Sequence, residues 1–418
     1  MAINEQAAKG FAAQADAYER RRPEHTGESV ELLARELGFG RGSRVVDLGA
    51  GTGKLTRQLV ATGADVVAIE PIPEMRAHIE TSMPEVEAIA GTAEDLPLES
   101  HSVDAVLVAQ AFHWFDALRA LSEIRRVLKP GGGLGLLWQA RDDSEPWVAR
   151  LNEIIDGADD GHPRFRHGGW REPFESTALL EPLQETTLQS IQRTTAEGVI
   201  DRVASISYIA AMGEEDREPV LADVRRLLAS EPATSGRDVI EMPHLVHVYW
   251  AKVAAVPAGP STGVVLSVNT SPGGVPKRPV GRAHVNFRGV DGDRHSKPEP
   301  IHGTPAQAIC LLAFEAIERI RADGHQSFPG AYGENITLAG LDWKGLRHGD
   351  RLRVGDAGPL LELTDYATPC STQEQWFLEG RTGRISHRKH PEDARWYARV
   401  VEEGDVAAGD PVHLIRTA

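Results

Sequence analysis

The stretch Arg44-Val45-Val46-Asp47-Leu48-Gly49-Ala50-Gly51-Thr52-Gly53-Lys54-Leu55-Thr56 decides the fold. Its first five residues form a short apolar run suited to a strand buried on both faces. Three alternating glycines follow, and Lys54 to Val60 then shows helical spacing. A strand, a glycine turn and a helix N-terminus leave bare backbone amides against which a ligand can press. Downstream, Asp65-Val66-Val67-Ala68-Ile69 reads as a second strand ending at Glu70, 17 residues past Gly53. An acid at that point can accept hydrogen bonds from both hydroxyls of a ribose. The spacing is Gly-x-Gly-x-Gly, whereas the dinucleotide fingerprint needs a third glycine where Lys54 stands. Leu55 after Gly53-Lys54 also breaks the P-loop ending. Nothing here calls for a phosphate ligand, and a glycine turn by itself also serves α/β proteins that bind no nucleotide.

Around this stretch lie 418 residues, too many for one ordinary core, so two or three domains are expected. Lys and Arg number 45 against 61 Asp and Glu, a net charge of −16 that argues against nucleic-acid or anionic-membrane partners. No long apolar run and no basic-then-apolar start predict a membrane span or a signal peptide. Two cysteines, Cys310 and Cys370, build no disulfide framework, and a cytoplasmic setting is expected. The Pro- and Gly-rich stretch at 256–262 predicts a linker between a domain at 1–255 and another at 263–418. The charge changes across it: the first 258 residues carry −15 and the remainder only −1. Before the linker, apolar runs alternate with amphipathic stretches, an α/β rhythm. After it, short apolar runs between Gly-rich turns read as mainly β.

Taken together, residues 5 to 255 resemble a class I S-adenosylmethionine-dependent methyltransferase of the small-molecule type, with a Rossmann-like fold. Val45 to Thr56 is similar to that family's first motif, Gly91 to Leu98 to the loop after the third strand, and Ser102 to Val106 to the fourth strand. Glu123 to Leu137 is similar to the following helix, turn and fifth strand, Ser205 to Leu228 to a lid helix, and Val239 to Val253 to a closing strand. The resemblance implies that Asp47 and Gly49 meet the amino-acid end of the cofactor, that Gly51 and Gly53 admit its approach, and that Glu70 binds its ribose. It further implies that Thr92, Ala93 and Glu94 border the adenine, that Tyr18 lies on a covering N-terminal helix, and that Gln110 faces the cofactor. His113, in Gln110-Ala111-Phe112-His113-Trp114-Phe115, is a candidate base, or it makes only a local hydrogen bond; Trp114 and Phe115 either shape an acceptor pocket or belong to the core. The segment from Arg141 to Arg171, with His162, His167, Trp147 and Trp170, is too irregular to assign, and the small-molecule acceptor is not readable.

The second half resembles a MOSC domain, the β-barrel-like module of molybdenum-cofactor sulfurases and related reductases. The resemblance rests on an ordered set of turns: Gly273 to Lys277, Gly289 to His295, His302-Gly303, Gly333-Glu334-Asn335, Leu346 to Gly355 as a β-hairpin, and Pro369-Cys370. Ala306 to Ile320 reads as a helix, in which Cys310 is a small buried apolar residue. The resemblance implies that Cys370 carries sulfur or ligates molybdenum, roles that both need thiolate character. It also implies a pocket of Lys277, Arg294, His295, His302 and Asn335 around a phosphate-bearing molybdenum cofactor. One departure stands out: relatives carry an arginine shortly before Pro-Cys, and Tyr366-Ala367-Thr368 occupy that place here. The expectation is therefore a bifunctional fusion enzyme. The alternatives are a methyltransferase with a non-catalytic docking module, or a metal-free persulfide carrier at Cys370.

Overall fold

The structure, a computed structural model, describes residues 26–158, 165, 168–256, 259, 261–294 and 304–416. Tyr18, His162, His167, His295 and His302 lie outside the described residues. The chain forms two compact units, the first holding the described residues up to Leu98, Ser102–Trp170 and Leu183–Lys252. The second holds Glu99–His101, Arg171–Pro182 and the described residues from Val253 onward.

In the first unit, strands β1 (Arg44–Leu48), β2 (Asp65–Ile69), β3 (Glu87–Ile89), β4 (Val103–Ala109), β5 (Leu128–Arg141), β6 (Gln184–Thr194) and β7 (Ile240–Lys252) make one sheet. Its order is β3-β2-β1-β4-β5-β7-β6. The first five strands are parallel, while β7 runs antiparallel to both β5 and β6. The order reverses between β1 and β4, and in such sheets ligands settle outside the carboxyl ends of the strands at that switch point. Helices α1 (Gly27–Leu37), α2 (Lys54–Ala61), α3 (Pro73–Ser82) and α4 (Ala117–Val127) belong to the same unit. Val30, Leu33 and Leu37 of α1 bury their side chains with Val45, Leu55, Leu107 and Val246, which explains the apolar spacing of that helix. A second cluster joins helix Pro146–Asp156 to helices Ala196–Ala204 and Glu214–Ser230 through Trp147, Leu151, Val203 and Val224. So the stretch that sequence left unassigned contains a regular helix, and the lid region is two helices, Ser207–Ala211 and Glu214–Ser230.

The second unit contains β8 (Thr262–Thr270), β9 (Arg278–Pro279), β10 (Arg282–Asn286), β11 (Gly289–Val290), β12 (Ile309–Ala313), β13 (Ile336–Ala339), β14 (Arg351–Val354), β15 (Leu360–Tyr366), β16 (Trp396–Glu402), β17 (Gly404–Ala407) and β18 (Pro411–Ile415). The ring β8-β13-β12-β16-β15-β14-β18 closes on itself, giving a seven-stranded barrel with no free edge in the ring. Leu311, Leu338, Leu352, Leu361 and Val412 are fully buried within this unit.

Two local expectations are corrected. Residues 306–320 are not one helix: Ile309–Ala313 is a barrel strand buried at every position, and the helix begins only at Phe314. A short all-apolar run satisfies strand and helix periodicity equally, and pairing with β13 and β16 decides the matter. The hairpin near Leu346 also shifts. The antiparallel pair is β14 with β15, joined through Gly355–Pro359, whereas Arg347–Asp350 is a tight turn ahead of it.

Candidate functional site

At the switch point of the first unit, Gly49, Gly51 and Gly53 all take positive φ values of 72°, 58° and 89°. That left-handed region costs a side chain roughly 1–2 kcal/mol and costs glycine little. A Cβ on Gly49 would come within 2.9 Å of Ala111, so this turn and the segment after β4 approach closely. A Cβ on Gly51 would meet only Met75 Sδ at 3.8 Å, leaving room beside the backbone there. Glu70 follows β2 directly and is 4 % exposed. Its carboxylate accepts hydrogen bonds from the Gly51 amide (2.8 Å) and the Ile72 amide (2.9 Å). Burial pushes its pKa up, while those two amides and Arg76 pull it down.

Asp47 lies deeper. Its carboxylate accepts a 2.6 Å bond from the Thr56 hydroxyl and is buried beneath the turn. Burial raises its pKa from 3.8 to about 7, with Thr56 opposing and Glu70 adding to the rise. A carboxyl whose folded pKa exceeds its unfolded value binds its proton more tightly when folded. Its contribution to stability is thus full below about pH 3.8 and fades as pH climbs to about 7. Asp47→Asn is expected to flatten the pH dependence of urea unfolding between those limits; a wild-type slope retained in the variant would assign that dependence to other groups.

The loop after β3 is held by a buried ion pair. Arg126 bonds Glu123 at 2.7 Å and the Leu96 and Leu98 carbonyls, while Glu123 accepts the Leu96 amide. Within that loop Ala93 is buried, Thr92 pairs with Asp95, and the Glu94 carboxylate accepts the Asp116 amide. Gln110 follows β4 with φ of 59°, an outlier for a non-glycine residue, and donates its side-chain amide to the Gln139 carbonyl. The next residues form a short 3-10 turn, Phe112–Trp114. His113 Nδ1 accepts the Trp138 indole N–H at 3.2 Å. Because indole nitrogen can only donate, this bond places the proton of a neutral His113 on Nε2. Trp138 in turn packs against Trp170 (centroids 4.4 Å) and Phe165 (4.8 Å), with Tyr249 edge-on. Of the predicted residues, the glycines, Asp47 and Glu70 cluster at the switch point, Thr92 to Glu94 form the neighbouring loop, and Gln110 and His113 lie beyond β4.

The second unit carries a cavity of about 80 Å³. Lys277, Arg294, Asn335 and Cys370 all line it, as sequence predicts, and so do Cys310, Gln373, Arg395 and Tyr397, which sequence reasoning missed. Lys277 is ion-paired with Asp293, whose carboxylate also accepts the Asn335 side-chain amide and the Ser271 amide. Its charge is thereby spent inside the wall. Asn335 reaches Cys310 as well, accepting its amide at 3.1 Å. Half-buried Cys370 lies where β15 leads out of the barrel, its Sγ 2.9 Å from the Thr372 hydroxyl and its amide donated to Gln373.

Arg395 is 4 % exposed and donates to the Tyr332 and Thr368 carbonyls; its Nε has no partner among the described residues. No described carboxylate lies within ion-pair distance of it, but buried Glu334 is near enough for the guanidinium to pull the Glu334 pKa down against its burial. Arg395 thus brings a cation to the segment where the arginine before Pro369 is absent. The only sequence signal for it was alternation along β16, which points Arg395 and Tyr397 to one side and Trp396 to the other.

A doubly wound sheet with a glycine turn and a strand-end acid at its switch point defines a class I methyltransferase unit. The closed barrel with its Pro-Cys pocket defines a second unit of MOSC type. The comparisons agree. A methyltransferase domain model matches residues 46–136 and a MOSC domain model matches residues 298–413. An uncharacterized methyltransferase of Mycobacterium tuberculosis is 43% identical over 235 residues, 56% of this chain and 92% of that protein. An uncharacterized methyltransferase-like protein of Schizosaccharomyces pombe is 34% identical over 235 residues, 56% of this chain and 91% of its own. A malonyl-[acyl-carrier protein] O-methyltransferase of Methylococcus capsulatus is 40% identical over 114 residues, 26% of this chain and 41% of that enzyme. The chain belongs to the methyltransferase family of these relatives, as an S-adenosylmethionine-dependent enzyme that also carries a MOSC domain. Among the described residues no helix is long and apolar enough to cross a membrane.

Proposed function

We propose that the chain is a cytoplasmic bifunctional fusion enzyme with domains at 1–255 and 263–418. The first transfers a methyl group from S-adenosylmethionine to a small-molecule nucleophile, a thiol or a nitrogen. The second handles sulfur or a molybdenum cofactor through Cys370. The observation that carries the first half is the Glu70 carboxylate at the switch point, beside a Gly51 backbone with room for a ligand. When bound, the sulfonium cofactor supplies a methyl group already activated for displacement. The chain has then only to orient the reactants and exclude water. In this reading Glu70 exchanges its amide partners for ribose hydroxyls, Asp47 and Gly49 meet the amino-acid end of the cofactor, and Gly51 and Gly53 admit its approach. Gln110 faces the cofactor, and His113 borders the acceptor.

In the second half, the donor set fits a molybdenum cofactor: a half-buried thiol as a soft ligand, and a buried guanidinium, Arg395, whose Nε has no partner among the described residues. When bound, that cofactor supplies redox and sulfur-transfer chemistry. Cys370 would hold its metal, while Arg294, Arg395 and Asn335 would hold its anionic part. A shared metabolite, methylated by one domain and modified by the other, is motivated by the single chain.

Metal analysis of the freshly purified full chain tests the second half. Near-stoichiometric molybdenum that is lost in Cys370→Ser is the expected result. Metal-free protein with an extra sulfur on Cys370 by mass spectrometry favours the persulfide carrier. Metal-free, unmodified protein overturns Cys370 chemistry in favour of docking, a reading that the missing arginine before Pro369 also supports.

A further inference from the structure

The sheet of the first unit ends in two very different edges. One is β3, three residues long; the other is β6, eleven residues long and paired without a break to β7. We propose that β6 is the interface of a two-fold symmetric homodimer, in which the β6 strands of two copies pair antiparallel about Gln189 and join their sheets. The inference concerns assembly and stands apart from the chemistry proposed above.

Three observations carry it. The first is an open edge. Among the described residues nothing beyond β7 bonds the backbone of residues 186–194, so its outer amides and carbonyls form a template for another strand. Proteins blunt such edges with short strands, proline, lysine or bulges. β3 is blunted by its length, whereas β6 has no proline, no lysine and no shift in register. The second is exposure. Side chains of β6 alternate, and every odd-numbered position from Glu185 to Arg193 is exposed. Among them Ile191 is 64 % exposed, more than any other large apolar side chain of the described residues.

The third is a charge pattern complementary to itself. Although the first 258 residues carry −15, β6 holds one acid and one base, Glu185 and Arg193, four positions to either side of Gln189. Two-fold symmetry makes contacts reciprocal, so each residue meets its mirror position on the other copy. Pairing centred on Gln189 therefore sets Glu185 opposite the partner's Arg193, and the reverse pair forms by symmetry. Ile191 meets the partner's Thr187, and Gln189 meets itself. Arg193 already bonds Glu241 of β7 at 3.1 Å, so in the joined sheet it stands between two carboxylates. A register shifted by two residues leaves both charges without an opposite. Exposed ion pairs add little strength, whereas like charges directly opposite are destabilising. The two pairs thus fix the register, while backbone hydrogen bonds and the covering of Ile191 supply the affinity.

Sedimentation equilibrium of the full chain over a dilution series tests this. The wild type is expected to dissociate reversibly from dimer to monomer. Glu185→Arg turns two attractive pairs into two repulsive ones, and its dimer Kd should rise roughly tenfold or more. Gln189→Cys, treated with a short bis-maleimide, should run at dimer mobility on a denaturing gel, with the link mapped to position 189 of both chains. Both positions are exposed, and circular dichroism matching wild type excludes misfolding in either variant. A wild-type chain that stays monomeric at its highest soluble concentration overturns the proposal. So does a dimer that Glu185→Arg leaves equally tight, or one that forms no link through position 189.

Discussion

Glu70→Ala is expected to weaken S-adenosylmethionine binding by roughly 1–3 kcal/mol, the scale of hydrogen bonds to a charged group, or about 5- to 150-fold in Kd. The carboxylate is held in place before any ligand arrives, with the Gly51 and Ile72 amides each within 2.9 Å. Those amides lie on the turn after β1 and on the segment after β2, so the acid organises the turn as well as offering an acceptor. Glu70→Gln separates the two roles, because its carbonyl still accepts one amide but brings no charge. Titration calorimetry should therefore rank the affinities wild type, Gln, Ala. Equal affinities for all three would remove Glu70 from the cofactor site while leaving the fold intact.

The largest expected loss of stability falls in the barrel. Gly330 has φ of 87°, and a Cβ there would lie 2.2 Å from the Lys277 carbonyl oxygen, a backbone atom that cannot swing aside. The same two residues are joined by a hydrogen bond from the Lys277 amide to the Gly330 carbonyl, and Gly330 donates its own amide to buried Glu334. Gly330→Ala thus combines left-handed strain with a steric clash and loosens the wall that carries Lys277. A cost on the order of 3 kcal/mol or more is expected for the second unit. Gly292→Ala is the control: its φ is 82°, but nothing lies within 4 Å of the added atom, so only about 1 kcal/mol of strain remains. Calorimetric unfolding of both variants reads the difference. Equal shifts would mean that the Gly330 backbone relaxes away from Lys277.

The prediction at Asp47 is of a different kind, since it concerns pH rather than magnitude. A buried acid next to Glu70, bonded to one hydroxyl, gains from staying protonated in the folded chain. That burden sits under the glycine turn, so the stability of the first unit falls as this group loses its proton.

What sequence by itself determined is the architecture of the first unit and the kind of chemistry it hosts. Local rules suffice there: an apolar run, three glycines and a strand-end acid lie within 27 residues, and each acts on its near neighbours. The existence of the second unit was legible too, through turn residues whose φ requirements are local. Its pocket was not. Cys310 comes from β12 whereas Arg395 and Tyr397 come from the start of β16, far away in sequence, and Ile309–Ala313 reads equally well as helix or strand until β13 and β16 pair with it. Which face of a barrel strand a residue takes depends on register, and register is set by partners that no local pattern names. Tertiary structure alone therefore decided that Cys310 lines the same pocket as Cys370, and that Arg395 brings a cation to a segment whose own arginine is missing.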